Sequence, residues 1–114
     1  MFGEGVAKNI FKNIPEQLPE ELFETLLKNG QIHIERIVSK GHATVEDYWY
    51  DQDWDEWVLL LQGQAVIAYE NQPSQGLSVG DYLLIPAHSR HRVAWTADDV
   101  DTVWLAVHFS AENG

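Results

Sequence analysis

From Gln31 to Phe109 the chain is a succession of short apolar or alternating runs, separated by turn residues at spacings of roughly ten positions. That pattern leaves no room for long helices. It predicts an all-β domain, a sandwich or barrel of short strands. The runs are Gln31–Ser39, Thr44–Asp51, Glu56–Leu61, Gln64–Glu70, Tyr82–Pro86, His91–Trp95 and Thr102–Phe109. Lys40-Gly41-His42, Gln62-Gly63 and Val79-Gly80-Asp81 read as turns, and Gln62-Gly63 as the tight loop of a hairpin. In Gln31–Ser39, Ile32, Ile34 and Val38 share one parity, with His33 and Glu35 on the other.

Before these strands, Pro19 to Asn29 carries helix signals. Proline and acids open the segment, Asn29-Gly30 closes it, and Leu22, Phe23, Leu26 and Leu27 make one apolar stripe. A short helix over about 19–29 is expected, within an N-terminal extension over 1–30. Asn9 to Ile14 is expected to form a short strand or turn. The barrel is expected over 31–109 and a C-terminal tail over 110–114.

A chain of 114 residues with 45% apolar content suits one globular domain. Cysteine is absent, so any metal site must use His, carboxylate and amide ligands. Seven basic against 18 acidic residues give a net charge of −11, which argues against nucleic acid and anionic membrane surfaces as partners. No apolar run approaches the ~18–20 residues of a membrane span. Met1 to Asn13 lacks a basic region followed by an apolar stretch, and a cytoplasmic location is expected.

The run Glu56-Trp57-Val58-Leu59-Leu60-Leu61 is apolar on both parities after its carboxylate. Strand alternation places Glu56 with Val58 and Leu60 toward the interior. Trp57, Leu59 and Leu61 then face outward and need a cover, either the N-terminal helix or a second subunit. A homodimer is therefore expected. An inward carboxylate must take a proton, a cation or hydrogen bonds. His91 shares parity with Val93 and Trp95, so an imidazole is expected to converge on the same interior.

Glu56, six residues and Gly63, followed by Gly80, five residues, Pro86 and then His91, resemble the two motifs of the cupin superfamily. The resemblance covers roughly residues 31–109. It implies a double-stranded β-helix, the jelly-roll barrel, commonly dimeric and with a metal or small-molecule site inside. The chain departs from the pattern at several positions. The paired histidines of the first motif fall on Tyr50 and Gln52, or on Trp49 and Asp51 if the spacer is one residue longer. His88 stands where the second motif has Gly, and Trp95 where it has Asn.

The resemblance implies Glu56 and His91 as ligands of a divalent ion such as zinc, nickel, iron or manganese, with Gln52 assisting. Asp51 is the better ligand chemically, but parity disfavours it. Tyr50, Asp51, His88, Trp95 and His108 are candidate pocket or rim residues. Two other readings stand beside the metal barrel. One is a metal-free binding module for a sugar or other metabolite, in which Tyr50, Gln52, Glu56 and His91 hydrogen-bond the ligand. The other is an enzyme, a metal-dependent oxygenase or an isomerase using Glu56 or His91 as base.

Overall fold

The computed structural model describes residues 5–110, and among them lie eight strands and no helix. They are β1 (Leu22–Lys28), β2 (Ile32–Ser39), β3 (Trp54–Gln62), β4 (Ala65–Tyr69), β5 (Gln75–Leu77), β6 (Tyr82–Ile85), β7 (His91–Thr96) and β8 (Thr102–Ser110). One sheet has five strands in the order β1-β2-β8-β3-β6, and the other three in the order β5-β4-β7. All the pairings are antiparallel. The two sheets are not joined by hydrogen bonds into a closed barrel. Between them pack Val58, Leu60, Ile67, Leu77, Trp104 and Ala106. Leu60 is fully buried, a placement that contributes about 2–3 kcal/mol for such a side chain.

The helix expected over 19–29 is instead β1, hairpinned onto β2 through Asn29-Gly30-Gln31. Tertiary pairing overrides local propensity here. Asn29 Oδ1 accepts from the amides of Gln31 and Ile32, and the Asn29 amide donates to the Ile32 carbonyl. The chain-end signal at Asn-Gly is therefore a hairpin turn. A register shift between Thr25 and Leu27 breaks the strict alternation of β1. That irregularity lets a sequence with a helical stripe lie in a sheet.

Gln62-Gly63 is not a hairpin. β3 pairs with β6 and β8, whereas β4 pairs with β5 and β7. The turn carries the chain from one sheet to the other. The expected strand over Thr44–Asp51 is reduced to a single bridge between Tyr50 and His91. Around Asn9 the chain makes a turn, closed by the Lys12 amide on the Asn9 carbonyl.

The N-terminal segment is tied to the outside of β2 by Arg36, which is 5% exposed. Its guanidinium pairs with Glu24 and donates to the carbonyls of Ile10, Lys12 and Asn13. His42 adds a second tie, its Nε2–H donating to the Leu18 carbonyl while Nδ1 accepts from the Lys40 amide. Replacing Arg36 strips several partners from one buried cluster. Arg36→Met is expected to cost about 3 kcal/mol. Hydrogen exchange is the check: amides near Ile10–Asn13 should lose protection while β3 and β8 keep theirs. Unchanged protection at both places would contradict this role.

Candidate functional site

Antiparallel register lines up residues of four strands in rows across the larger sheet. In one row His33, His108, Glu56 and Ile85 are direct cross-strand neighbours. In the next stand Glu35, Ala106, Val58 and Leu83. His33, Glu35 and Ile37 thus face inward from β2, so the interior parity of that strand is the polar one at its start. The smaller sheet contributes His91, Val93 and Ile67 from the opposite side. The space between is a cavity of about 570 Å³. That is a volume suited to a small metabolite.

Glu56 is 8% exposed and His91 5% exposed. No hydrogen bond reaches the Glu56 carboxyl group from the described residues. His91 Nε2 stands 3.9 Å from Glu56 Oε1, which is beyond hydrogen-bond reach. His91 Nδ1–H donates to the Ser89 carbonyl at 2.8 Å. In the neutral ring this leaves the Nε2 lone pair toward Glu56. Burial pushes Glu56 above its ordinary value of 4.5, opposed by His108 and His91 and reinforced by Glu35.

His108 is held differently. Trp54 Nε1–H donates to its Nδ1 at 2.9 Å, so the ring proton sits on Nε2 and donates to Glu35 Oε1 at 2.9 Å. Both nitrogens are committed. His33 Nε2 meets Thr25 Oγ1 at 2.8 Å and lies 3.7 Å from Glu35 Oε2. Glu35, His33 and Trp54 therefore belong to the site, although the two motifs do not point to them. The signal that could have found them is the inward row, which requires the register of β2 on β8.

Tyr50 and Gln52 also line the cavity. The Tyr50 and His91 backbones exchange two hydrogen bonds, at 2.8 and 3.1 Å, and the Gln52 carbonyl accepts from the His88 amide at 2.6 Å. These bonds pin the loop so that the Gln52 side chain faces in. Burial, then the negative charge of Glu21, holds the Tyr50 phenol above its ordinary 10.0, so it remains a neutral hydrogen-bonding group.

Asp51, His88 and Trp95 are not brought into the cavity. Asp51 Oδ1 accepts from His88 Nδ1 at 2.7 Å, on the outside of the loop, where the His88 side chain is 67% exposed. Trp95 is turned out by a bulge. Val66 faces Trp95 and Ile67 faces Val93, so Ala94 is an extra residue and the parity read from His91 fails beyond it.

The donors tell against a tight transition-metal site. Glu56 and His91 supply one oxygen and one nitrogen donor, His108 has no free nitrogen, and Gln52 offers a neutral amide. Among the described residues no group of three or more His, Asp or Glu side chains is placed to hold a metal ion. Zinc, nickel and iron sites ordinarily have three or more such donors.

The sequence pattern of the cupin domain matches residues 35–108. A crystal structure of a candidate mannose-6-phosphate isomerase from Ralstonia eutropha JMP134 is similar over 93% of this chain and 99% of its own, with 44% identity and a TM-score of 0.89. A cupin-superfamily protein from Desulfitobacterium hafniense DCB-2 is similar over 85% of this chain and 84% of its own, at 22% identity and TM-score 0.70. A cupin with a double-stranded β-helix fold from Methanocaldococcus jannaschii is similar over 86% and 87%, at 12% identity and TM-score 0.66. These last two bear on fold alone, and they support the double-stranded β-helix. No curated protein matches the chain. No helix among the described residues is long and apolar enough to cross a membrane.

Proposed function

The chain belongs to the cupin family, and from that premise we propose that its cavity binds a sugar-sized metabolite and moves a proton on it, as an aldose–ketose isomerase does. One observation carries the reading. A buried carboxyl group without a hydrogen bond faces an imidazole lone pair across a 3.9 Å gap inside the cavity. The 44%-identical Ralstonia protein, a candidate mannose-6-phosphate isomerase, supports the same chemistry.

The chain's own residues suffice for the steps. Glu56 as carboxylate takes the proton from C2 of the open-chain aldose and returns it to C1. His91 Nε2 passes a proton between the two oxygens, so the enediol forms and collapses with no net change in atoms. Raising a carboxyl group by burial brings it nearer the pH at which it can both take and give a proton. Tyr50 and Gln52 hydrogen-bond the sugar hydroxyls, and Trp104, Val58 and Ile67 cover its apolar faces. The test is exchange in heavy water: C2 of mannose should gain deuterium in the presence of the protein. Binding without exchange would make the protein a binding module.

A second reading keeps Glu56, His91 and Gln52 as ligands of a divalent ion. What favours it is the same gap, in which a lone pair and a carboxyl face each other with no proton donor between them. Elemental mass spectrometry separates the two. Stoichiometric metal that is lost in Glu56→Gln would select the ion.

We further propose that the chain self-associates through the outer face of β3 and β6. Support comes from Trp57 and Leu59 lying directly opposite Leu84 and Tyr82, with Leu84 and Tyr82 well exposed. Light scattering should give the mass of a dimer, and Tyr82→Lys with Leu84→Glu should halve it. A wild-type monomer would contradict this.

A further inference from the structure

The charges around the cavity limit which sugar it can take. Glu21, Glu35 and Glu56 all line it, and no arginine does. Arg36 sits on the other face of β2, committed to Glu24 and the N-terminal carbonyls. Of the imidazoles, His91 turns its free Nε2 to Glu56. His108 gives its one proton to Glu35, and His33 lies between Thr25 and Glu35. Lys28 stands at the mouth, at the end of β1.

The backbone does not make up the deficit. A phosphate is commonly cradled by free amides in a turn. In the turn at the mouth, the amides of Asn29, Gln31 and Ile32 are already used by the turn itself, which leaves only that of Gly30. At the bottom, Glu56 is more than nine-tenths buried, has no hydrogen bond and is aimed into the space, so it asks for a hydroxyl rather than an anion.

Building on the isomerase reading above, we infer that the substrate is a neutral, unphosphorylated sugar, and that the sugar phosphate is rejected by the carboxylates of the cavity. A dianionic ester would bring its charge among Glu21, Glu35 and Glu56 with one exposed ammonium to offset it. Like charges in a partly desolvated space repel the ester more than an exposed lysine attracts it.

The experiment compares mannose with mannose 6-phosphate on the full chain, by calorimetry and by saturation-transfer NMR. Mannose is expected to bind at least ten-fold more tightly. Added salt should narrow the gap by improving the ester and leave mannose unchanged, because screening acts on charge and not on shape. Glu35→Gln should narrow it in the same direction. Equal or tighter binding of the phosphate overturns the inference and leaves the sugar-isomerase reading standing. A preference for mannose that neither salt nor Glu35→Gln alters also overturns it, since the cause is then steric. No binding of either compound overturns the inference together with the sugar reading on which it rests.

Discussion

Glu56→Gln is expected to lower proton exchange at C2 by on the order of 100-fold or more while leaving the fold as stable as before, or more so. The amide has nearly the same shape, so the packing of Val58 and Leu60 beside it is kept. What it loses is the ability to take a proton. The stability effect follows from burial. Folding raises Glu56 above the 4.5 it has in the unfolded chain, with His108 and His91 partly opposing the rise. Below that unfolded value both states hold the proton, and the group costs nothing. As pH rises toward the folded value, the unfolded chain releases its proton first, and the folded state loses relative stability. Above the folded value the cost is complete. Glu56→Gln removes this term, so its melting temperature should fall less than that of the wild type between mildly acidic and neutral pH. A variant that loses stability at neutral pH would mean that the carboxylate is satisfied in the folded protein, by a cation or by hydrogen bonds. Stability set against activity at one residue is what a functional site built on a buried carboxyl group implies.

Gly63→Ala is expected to be the most destabilising glycine-to-alanine change among the described residues, at about 3 kcal/mol or more. Two independent causes act there. The residue adopts φ +90°, a region that L side chains rarely occupy. A Cβ would also lie 2.3 Å from Thr102 Oγ1 and 2.7 Å from Thr102 Cα. Thr102 is fully buried at the start of β8, so its backbone has nowhere to move. Gly80 provides the control. Its φ is similar at +93°, but nothing lies within 4 Å of a Cβ built there. Gly80→Ala therefore bears the conformational cost alone and should destabilise by about 1 kcal/mol. Urea denaturation of the two variants separates strain from collision. Equal midpoints would show that the close approach to Thr102 is not what demands glycine at 63.

The two glycines also mark how far the sequence could be read. Gly63 and Gly80 stand out as turns because of the apolar runs around them, and the cupin motifs tie them to Glu56 and His91. Glu56, Val58 and Leu60 alternate cleanly in β3, so their common inward direction was legible from parity. Whether Gln62-Gly63 returns the chain beside β3 or sends it to another sheet depends on which strands pair. That choice is settled by contacts between residues distant in sequence, such as Trp57 with Val107. The segment Leu22–Lys28 failed for a related reason. Its apolar residues satisfy a helical stripe, and its partner in β2 cannot be seen locally.

Within the site, the residues on one strand were easier to place than those joined by register. Gln52 and Tyr50 line the cavity as the divergent first motif allows, and Asp51 points out as parity requires. Glu35 and His33 become neighbours of Glu56 and His108 through cross-strand rows, which have no signature in a single sequence. Trp95 was misplaced because one extra residue, Ala94, reverses the side on which the next residue lies. Bulges of this kind are invisible to alternation.

Glu56 is a buried carboxyl group facing the cavity, with no hydrogen bond from the described residues, that a ligand or a transferred proton completes. Carbon-13 NMR titration of the Glu56 side-chain carboxyl, on chelator-treated protein, measures this directly. The midpoint is expected clearly above the ordinary 4.5 and displaced when mannose is added. A midpoint at or below 4.5, unmoved by the sugar, would show a carboxylate already held by charge or hydrogen bonds, and would contradict the site described here.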